Sequence, residues 1–467
     1  MQPWPWGLGV GGWLLAIISP PSFADTLRRC AFNNLGRSLQ LELSKIRYYS
    51  GVLLQEPRRS KYSYLLAMTQ LDLPPNSSAP SDSLRIYITM SSIVRTSLRQ
   101  FLHTSRQSLL ASLKAKKPVN IVIGNQSADI DSFASSILYA YYTGPTTPPT
   151  TPPTIPLLSI PREDLSLRPE ILHLCNLFSI SPSDLNFTDD PPITDLPQDS
   201  TNIALVDHNH IEPNLSSHFT DPAKAVTAVI DHHDDEGLYP DAKPRIITPS
   251  GSCSSLVTQH FQSAFPQSGD VRGELARLAL AAVLIDTTNM TNKVTPHDEE
   301  VLAFLEAEIA KSVTEGGGAG EPWDRKKFYN GVWDAKNNVD AMPLRDLLRK
   351  DWKEWAESVA GVDGVQRKVG IASVLRELEW LKGREAGEGR ELFVWVLNEG
   401  AEGCLEAFVR MAEEAGLGLS VWGGGALDGD NGRRRAWCQK NLKASRKQVA
   451  PLLRESIKVG AKRESKV

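Results

Sequence analysis

Four short clusters along the chain contain the residue types that bind metal ions. They are residues 125–131, Asp207-His208-Asn209, Asp231-His232-His233 and Asp286-Thr287. Carboxylate and imidazole groups bind divalent cations, and two carboxylates two residues apart, such as Asp129 and Asp131, can hold two cations side by side. Each cluster alone is also typical of a helix cap, a turn or a surface histidine pair. Their common order, spacing and placement indicate a metal site.

An apolar run leads into each cluster, and these runs predict the elements that position it. Candidate strands at 119–124, 203–206 and 225–230 end at acidic residues, and the run 278–285, a strand or a helix, ends at Asp286. Apolar residues recur at helical spacing in 97–113 and 133–142. This alternation predicts an α/β fold, with a parallel sheet that carries the site at the carboxyl ends of its strands.

A Gly-rich stretch divides the chain into two predicted domains. Residues 1–95 are expected to be a poorly structured extension, with a candidate leader at 1–24. The further predicted units are a first domain at 96–310 with a solvated Thr/Pro loop at 143–156, a linker at 311–327, and a smaller mixed α/β domain at 328–460. The second domain is expected to begin with a helix through 344–355 and to contain strands at 369–374 and 392–397. We expect the active site in the cleft between the domains.

Composition restricts the partners of the chain. The formal net charge of −4 over 467 residues gives no indication of nucleic acid or an anionic membrane as a partner. Five scattered cysteines without CxxC spacing predict neither a disulfide framework nor a zinc knuckle. A monomer in the cytoplasm is therefore expected, whereas a cleaved leader at 1–24 would place the chain in a secretory or organellar compartment.

The four clusters together resemble the motifs of the DHH-family phosphoesterases, which are named after the triplet seen here as Asp231-His232-His233. The resemblance covers about residues 97–453. Asn125, together with segments 160–165 and 251–255, is similar to the exopolyphosphatase, Prune-like branch; the related manganese pyrophosphatases have histidine at the position of Asn125. Segments 347–355 and 444–448 resemble the two basic motifs of the DHH-associated second domain.

The resemblance implies two divalent cations, Mn²⁺ or Mg²⁺, that activate water for attack on a phosphoanhydride. Asn125 and Asp129 would face one cation, Asp131 and His232 the other, and Asp207 and Asp286 would touch or bridge both. The implied substrate-binding residues are His233, Lys353, Arg446, Lys447 and Ser252, the last within a segment that offers backbone N–H groups to a phosphate. His233 would also act on the leaving phosphate, and Asp231 would orient an imidazole.

The expected function is metal-dependent release of orthophosphate from the ends of inorganic polyphosphate. Two alternatives stay open. One is a pyrophosphatase or nucleotide phosphohydrolase that uses the same metals, and the other is a Prune-like interaction protein with residual hydrolysis, whose Thr/Pro tract and amino-terminal extension serve as docking segments.

Overall fold

The structure, a computed structural model, confirms a two-part mixed α/β architecture. It describes residues 12–19, 97–144, 152–266, 270–315, 322–358, 366–374, 390–396, 402–429, 432–441 and 444–460. The α-helices are α1 Leu98–Ala115, α2 Ile130–Thr143, α3 Pro169–Leu177, α4 Pro213–Ser216, α5 Pro222–Ala225, α6 Cys253–His260, α7 Asp270–Asp286, α8 Pro296–Glu315, α9 Arg325–Asn337, α10 Leu344–Lys350, α11 Glu402–Glu414 and α12 Arg446–Gly460. The strands are β1 Gly12–Ser19, β2 Val119–Ile123, β3 Thr154–Leu157, β4 Thr201–Val206, β5 Val226–Asp231, β6 Arg245–Ile247, β7 Trp352–Ser358, β8 Gln366–Val374, β9 Arg390–Val396, β10 Leu419–Val421 and β11 Arg434–Gln439.

The first sheet is parallel throughout, in the order β3-β2-β4-β5-β6. Its two faces contribute to two different apolar cores, one that contains Ile121 and Ile203 and another that contains Val122 and Ile230. Burial on both faces explains why β2, β4 and β5 are nearly continuous apolar runs in the sequence. The predicted parallel sheet is confirmed, and its carboxyl edge is free to carry polar loops.

The end of the Thr/Pro tract differs from the prediction of a solvated loop. Residues 154–157 form β3, which pairs with β2, and all four residues are buried. Pro156 has no N–H to donate, but β3 lies at the sheet edge and needs hydrogen bonds on only one side. Composition alone therefore gave the wrong structure for these residues, while 145–151 lie outside the described residues.

Asp286 ends a helix, so the helix is the correct one of the two alternatives that the sequence left open for this run. Residues 275–285 of α7 are nearly all buried, because α7 packs against α2, α6 and α8. A helix that is covered on most sides has no polar stripe, and its sequence is then indistinguishable from that of a buried strand.

The second sheet has the order β10-β11-β9-β1-β8-β7 and is mixed, since β1 runs parallel to β9 while the other pairs are antiparallel. Leu392 and Val394 of this sheet pack with Phe408 of α11 and Leu453 of α12. The predicted strands 369–374 and 392–396 lie within β8 and β9, and residue 397 lies outside the described residues. The helix predicted through 344–355 ends at Lys350, and Trp352 and Trp355 belong to β7.

Strand β1 corrects the prediction that residues 1–95 lie outside the fold. Residues 12–19 form a middle strand of the second sheet, with Ala16 opposite Ile371 of β8 and Val394 of β9. A short apolar run has the composition of a leader and of a buried strand alike, and only its tertiary partners distinguish them. The rest of 1–95 lies outside the described residues.

The linker is shorter than the predicted 311–327. Helix α8 continues to Glu315 and α9 begins at Arg325, so that only residues 316–321 between them lie outside the described part. Val332 of α9 belongs to the core of the first unit, and Tyr329 and Trp333 pack against that core. The second unit therefore builds its own core later than residue 328. Among the described residues, no helix is long and apolar enough to cross a membrane.

Candidate active site

The site forms where the three central strands of the first sheet end. Because β2 pairs with β4 and β4 with β5 in parallel, their carboxyl ends meet at one edge. The loop after β2 carries Asn125, Asp129 and Asp131, Asp207 follows β4, and Asp231 ends β5. The carboxyl end of α7 adds Asp286. Asp129, Asp131, Asp207 and Asp286 are called the acidic cluster below.

Asp207 is the side chain at the centre of these contacts. Its Oδ1 lies 3.2 Å from His232 Nε2, and its Oδ2 accepts hydrogen bonds from Asn125 Nδ2 at 2.6 Å and Ser132 Oγ at 2.7 Å. Its backbone adopts a left-handed conformation with φ of 61°, which aspartate tolerates better than most residues. The Asp207 N–H donates to the Ile230 carbonyl at 3.0 Å, which holds that conformation against β5.

Asn125 lies in the site, but its amide oxygen points away from the acidic cluster. The Ser127 backbone N–H donates to Asn125 Oδ1 at 2.9 Å, and this bond determines which amide atom is the oxygen. The amide NH₂ group therefore donates to Asp207 and, at 3.4 Å, to Asp129. In this structure Asn125 orients two carboxylates as a donor, whereas the sequence predicted an oxygen ligand for a metal.

Asp131 accepts the hydrogen bonds that the sequence assigned to a phosphate. Its carboxylate accepts from Ser252 Oγ at 2.8 Å, the Cys253 N–H at 2.7 Å and the Ser254 N–H at 2.8 Å. These donors lie at the N-terminus of α6, where exposed N–H groups favour an anion. In this structure an internal carboxylate accepts the donors of this segment, and substrate binding by Ser252 stays a prediction.

His232 presents one nitrogen to the acidic cluster. Its Nδ1 lies 3.1 Å from the Ser250 carbonyl, which can only accept, so Nδ1 carries the proton and Nε2 has a free lone pair. That Nε2 lies 3.2 Å from Asp207 and 3.8 Å from Asp131. The Lys447 ammonium of the second unit lies 3.0 Å from the same nitrogen and donates a hydrogen bond to it.

His233 is held by Asp231 and points its other nitrogen outward. His233 Nδ1 lies 2.8 Å from Asp231 Oδ1, and Asn209 Nδ2 donates to Asp231 Oδ2 at 2.5 Å. Asp231 is fully buried, whereas the His233 side chain is 26% exposed. Asp231 therefore orients His233 and leaves its Nε2 available to a ligand in the cleft.

The second unit closes over this edge through several direct contacts. The Gln126 side chain exchanges two hydrogen bonds with the backbone of Glu354 in β7, at 2.9 and 3.2 Å. Lys353 is the preceding residue on β7, and its charge acts on Asp129 and Asp207. Within the second unit, Arg446 bonds to the carbonyl and carboxylate of Asp351, at 2.7 and 2.9 Å. Predicted residues from both units thus meet in one cleft.

Two family models match the two units that form this cleft. The DHH family, N-terminal domain, matches residues 120–283, and the DHHA2 domain matches residues 331–456. A Schizosaccharomyces pombe protein that carries the name exopolyphosphatase as a provisional assignment is 33% identical over 406 residues, which cover 77% of this chain and 98% of that protein. The chain belongs to the Prune-like exopolyphosphatase branch of the DHH family.

Two further relatives match parts of this DHH protein. Exopolyphosphatase PRUNE1 of Homo sapiens is 29% identical over 280 residues, which cover 58% of this chain and 56% of that protein. A manganese-dependent inorganic pyrophosphatase of Methanocaldococcus jannaschii is 24% identical over 315 residues, which cover 63% of this chain and 89% of that protein. The family resemblance stated from the sequence is confirmed.

The acidic cluster of this DHH protein concentrates negative charge in a buried place. Burial and the neighbouring Asp207 raise the pKa of Asp131 to about 6, although His232 opposes the rise. Burial, together with nearby carboxylates, also raises the pKa of Asp207 and of Asp286 well above the usual range. Asp129 differs: burial alone would raise its pKa, but Lys353 and Lys336 hold it below the usual value.

The two histidines are neutral at physiological pH. Burial lowers the pKa of His233 to about 3 despite its bond to Asp231, and burial with the Lys447 charge lowers the pKa of His232. Neutral imidazole is the form that binds a metal or accepts a proton. Asp207, His232 and His233 bring one ligand atom each within 4.8 Å of one another. Repelling carboxylates beside a neutral imidazole are a donor set that suits divalent cations.

The sequence interpretation did not assign Ser132 and Asp298, which support the ligands. Ser132 Oγ donates to Asp207 and accepts the Asn125 N–H at 2.9 Å. Asp298 accepts from the Gly251 N–H at 2.8 Å and from Ser250 Oγ at 3.1 Å, and the Ser250 carbonyl in turn orients His232. The spacing of Thr295 and Asp298 before an apolar helix is a capping-box pattern and could have indicated Asp298.

Proposed function

We propose that this chain is an exopolyphosphatase that removes terminal orthophosphate from inorganic polyphosphate with two divalent cations, Mn²⁺ or Mg²⁺. One observation carries the proposal: the acidic cluster of the first unit faces basic side chains of the second, with Lys447 Nζ 3.0 Å from His232 Nε2. Metals and basic residues on opposite sides are what a polyanionic substrate requires. The exopolyphosphatase names of the relatives support the same substrate class.

The residues of this chain have separable tasks in that reaction. Asp129, Asp131, Asp207, Asp286 and His232 would hold the cations, which supply an activated water and neutralise charge on the reacting phosphate. Lys353 and Lys447 bind phosphate oxygens from the second unit. His233, oriented by Asp231, is neutral with its proton on Nδ1, so its Nε2 accepts a hydrogen bond or a proton, and it can donate to the leaving phosphate only after it has taken up that proton. Contacts such as Gln126 with Glu354 keep the cleft closed and exclude water.

Pyrophosphate hydrolysis is the second candidate, since one relative is named as a manganese-dependent inorganic pyrophosphatase. The position of Asn125 favours the first candidate. Its NH₂ group faces the acidic cluster and cannot bind a cation. One of the two cations therefore has one protein ligand fewer than it would have with a histidine at this position. We expect weaker binding of that cation and slow cleavage of the short, highly charged pyrophosphate.

Orthophosphate release from tripolyphosphate, long polyphosphate and pyrophosphate, measured in parallel with Mg²⁺ or Mn²⁺, tests the proposal. Fast release from the two longer substrates with pyrophosphate nearly inert supports exopolyphosphatase activity. Fast pyrophosphate cleavage would assign the second candidate. Absence of release from every substrate, in a protein that binds Mn²⁺, would favour the interaction-protein alternative.

Asp131→Asn separates hydrolysis from a binding role. The amide retains the shape of the carboxylate at the N-terminus of α6 but removes the charge that holds a cation. We expect turnover to fall at least about a thousandfold, with unchanged secondary structure by circular dichroism. Asp199→Asn at an exposed position is the matched control and retains wild-type turnover.

The cytoplasm is the proposed location, and the chain is proposed to act as a monomer without nucleic acid or membrane. Cys175, Cys253 and Cys404 are buried free thiols, which is typical of a reducing compartment. Fluorescent fusion at the carboxyl terminus, followed by microscopy, checks the location.

A further inference from the structure

Lys336 is a basic residue at the acidic cluster that the sequence interpretation did not assign. It lies in the last turn of α9, in the helix that connects the two units, and its side chain is half-buried. Its positive charge lowers the pKa of two residues of the acidic cluster, Asp129 and Asp286. Burial alone would lower the pKa of Lys336. The charges of Glu170, Asp286 and other nearby carboxylates together raise it above the usual value, so the ammonium stays charged.

The ammonium group of Lys336 has no hydrogen-bond acceptor and no ion-pair partner within 4 Å among the residues that the structure describes. Two nearby basic side chains, Lys350 and Arg168, do have hydrogen-bond partners. Lys350 Nζ donates to Glu170 at 2.8 Å and to the Leu167 carbonyl at 2.9 Å, and Arg168 donates to the carbonyls of Ser127 and Leu167. An ammonium has three donors, so Lys336 retains its full capacity for a ligand.

Lys336 is one of the residues that line a small cavity of about 90 Å³. Residues from both units line it, including Asp129 and Glu170 from the first and Lys350 and Asp351 from the second. The cavity is well above the size that a single water molecule needs. Because Asp129 belongs to both the cavity wall and the acidic cluster, the cavity adjoins the place where the cations are expected.

Charge balance indicates what Lys336 binds. Without cations, the carboxylates of Asp129 and Asp286 attract its ammonium through space. Once divalent cations bind those carboxylates, their negative charge is offset. The carboxylates that still act on the ammonium, Glu170 and Asp351, are already paired with Lys350 and Arg446. An anion that binds next to the cations restores the balance, and a phosphate group has oxygens suited to an ammonium and to the metals alike.

The three basic side chains approach the acidic cluster from different elements. Lys447 of α12 lies against His232, Lys353 of β7 acts on Asp129 and Asp207, and Lys336 of α9 acts on Asp129 and Asp286. We propose that Lys336 is a phosphate-binding residue of this site, which donates to a phosphate group held beside Asp129 and Asp286. The inference rests on the proposed function for the identity of the substrate, although orthophosphate binding tests it without turnover.

Lys336→Met tests the inference, with Lys326→Met as the matched control, because Lys326 is an exposed lysine of the same helix. The full chain with Mg²⁺ is titrated calorimetrically with orthophosphate, and KM is measured with tripolyphosphate. We expect Lys336→Met to weaken orthophosphate binding and to raise KM by about ten- to a hundredfold each, the usual effect of losing a hydrogen bond to a charged group. Lys326→Met stays within about twofold of the wild type, the scatter expected of a surface substitution.

Lys336→Arg retains a positive charge and is expected to recover most of the orthophosphate binding. If only tripolyphosphate KM changes, Lys336 contacts the substrate; if orthophosphate affinity changes as well, the same group holds the product.

A lowered thermal midpoint with orthophosphate affinity and KM both unchanged would overturn the inference, since Lys336 would then only balance Glu170 and Asp351. If Lys336→Met does not fold, Lys336→Gln replaces it. A wild type that binds orthophosphate but releases none from tripolyphosphate contradicts the proposed function and leaves this inference standing.

Discussion

At the scale of single residues, the site depends on how each carboxylate is surrounded. Asp131 and Asp231 are both buried aspartates next to the same strands, yet their pKa values shift in opposite directions. Burial and the charge of Asp207 raise the pKa of Asp131. Burial also raises the pKa of Asp231, but the hydrogen bonds from His233 and Asn209 and the nearby imidazoles together lower it below the usual value. The first residue is suited to a cation and the second to orienting an imidazole.

Asp207→Asn is expected to separate metal binding from folding. The amide oxygen can still accept from Asn125 and Ser132, and a buried, repelled charge is removed, so the thermal midpoint of the metal-free protein should not fall. The wild type should gain stability with Mn²⁺, about 2.7 kcal/mol at a hundred times the dissociation constant. Differential scanning fluorimetry with and without Mn²⁺ should show this gain in the wild type and in Asp199→Asn but not in Asp207→Asn. An equal gain in all three proteins would contradict the assignment of Asp207 as a ligand.

Asp298→Asn is expected to weaken both the fold and the orientation of His232. Burial alone would raise the pKa of Asp298, but hydrogen bonds from Ser255 and Thr295 lower it below the usual value. A lowered carboxylate pKa stabilises the folded state above the unfolded-state pKa of about 3.9, and this stabilisation disappears as pH falls through the folded-state pKa. We expect a loss of about 2–4 kcal/mol at pH 7, with the difference from wild type shrinking below about pH 4. Urea unfolding from pH 7 down to pH 3 measures it, and a difference independent of pH would contradict this role.

At the scale of elements, the turn from β2 to α2 is the most tightly built part of the site. Asp129 is the N-cap of α2 and accepts the Ser132 N–H at 3.1 Å, while Ser132 Oγ reaches back to Asp207 and to the Asn125 N–H. The turn can close only because Gly124 lacks a side chain. A Cβ atom at Gly124 would lie 2.3 Å from Ser132 Cβ, closer than two carbon atoms that are not bonded to each other can approach.

Gly124→Ala should therefore displace Ser132 and the ligands that it holds. We expect a loss of about 1–3 kcal/mol in the free energy of unfolding together with weaker Mn²⁺ binding, measured by urea unfolding and by titration. Gly331→Ala in α9 is the matched control: the added Cβ would meet His173 Nε2 at an ordinary 3.4 Å, and alanine favours a helix. Equal effects of the two substitutions would show that the turn is not limited by this contact.

At the scale of the whole molecule, two sheets of different construction face each other across the cleft. The parallel sheet supplies acidic side chains at its carboxyl edge, and the mixed sheet supplies Lys353 on β7 near its own edge. Arg349 with Asp164 and Lys350 with Glu170 are ion pairs that join the two units beside the cleft. The mixed sheet includes β1 from the far amino-terminal end, so residues 12–19 influence the element that carries Lys353.

Ala16→Pro tests the contribution of β1 to the second sheet. Ala16 is paired on both sides, and proline in a central strand removes a donor and is poorly accommodated. We expect a loss of more than about 1 kcal/mol in stability and faster proteolysis within the second unit, followed by mass spectrometry. Ala16→Ser, which keeps the backbone N–H, is the control and should behave as the wild type. Indistinguishable proteolysis of the two variants would contradict the pairing of β1.

The acidic and histidine motifs, the parallel sheet and the two-part organisation follow from the sequence because they depend on local patterns. The triplet Asp231-His232-His233, for example, consists of adjacent residues and can be recognised without any knowledge of distant contacts. Other features depend on contacts between distant segments, and only the tertiary structure decided them. The Ser127 N–H turns the Asn125 oxygen away from the carboxylates, and the N-terminus of α6 donates to Asp131. Strands β8 and β9, which follow residues 12–19 by some 350 residues in the sequence, pair with them. Hydrogen-bond partners and burial are properties of the folded arrangement, and the same short run of residues is compatible with more than one of them.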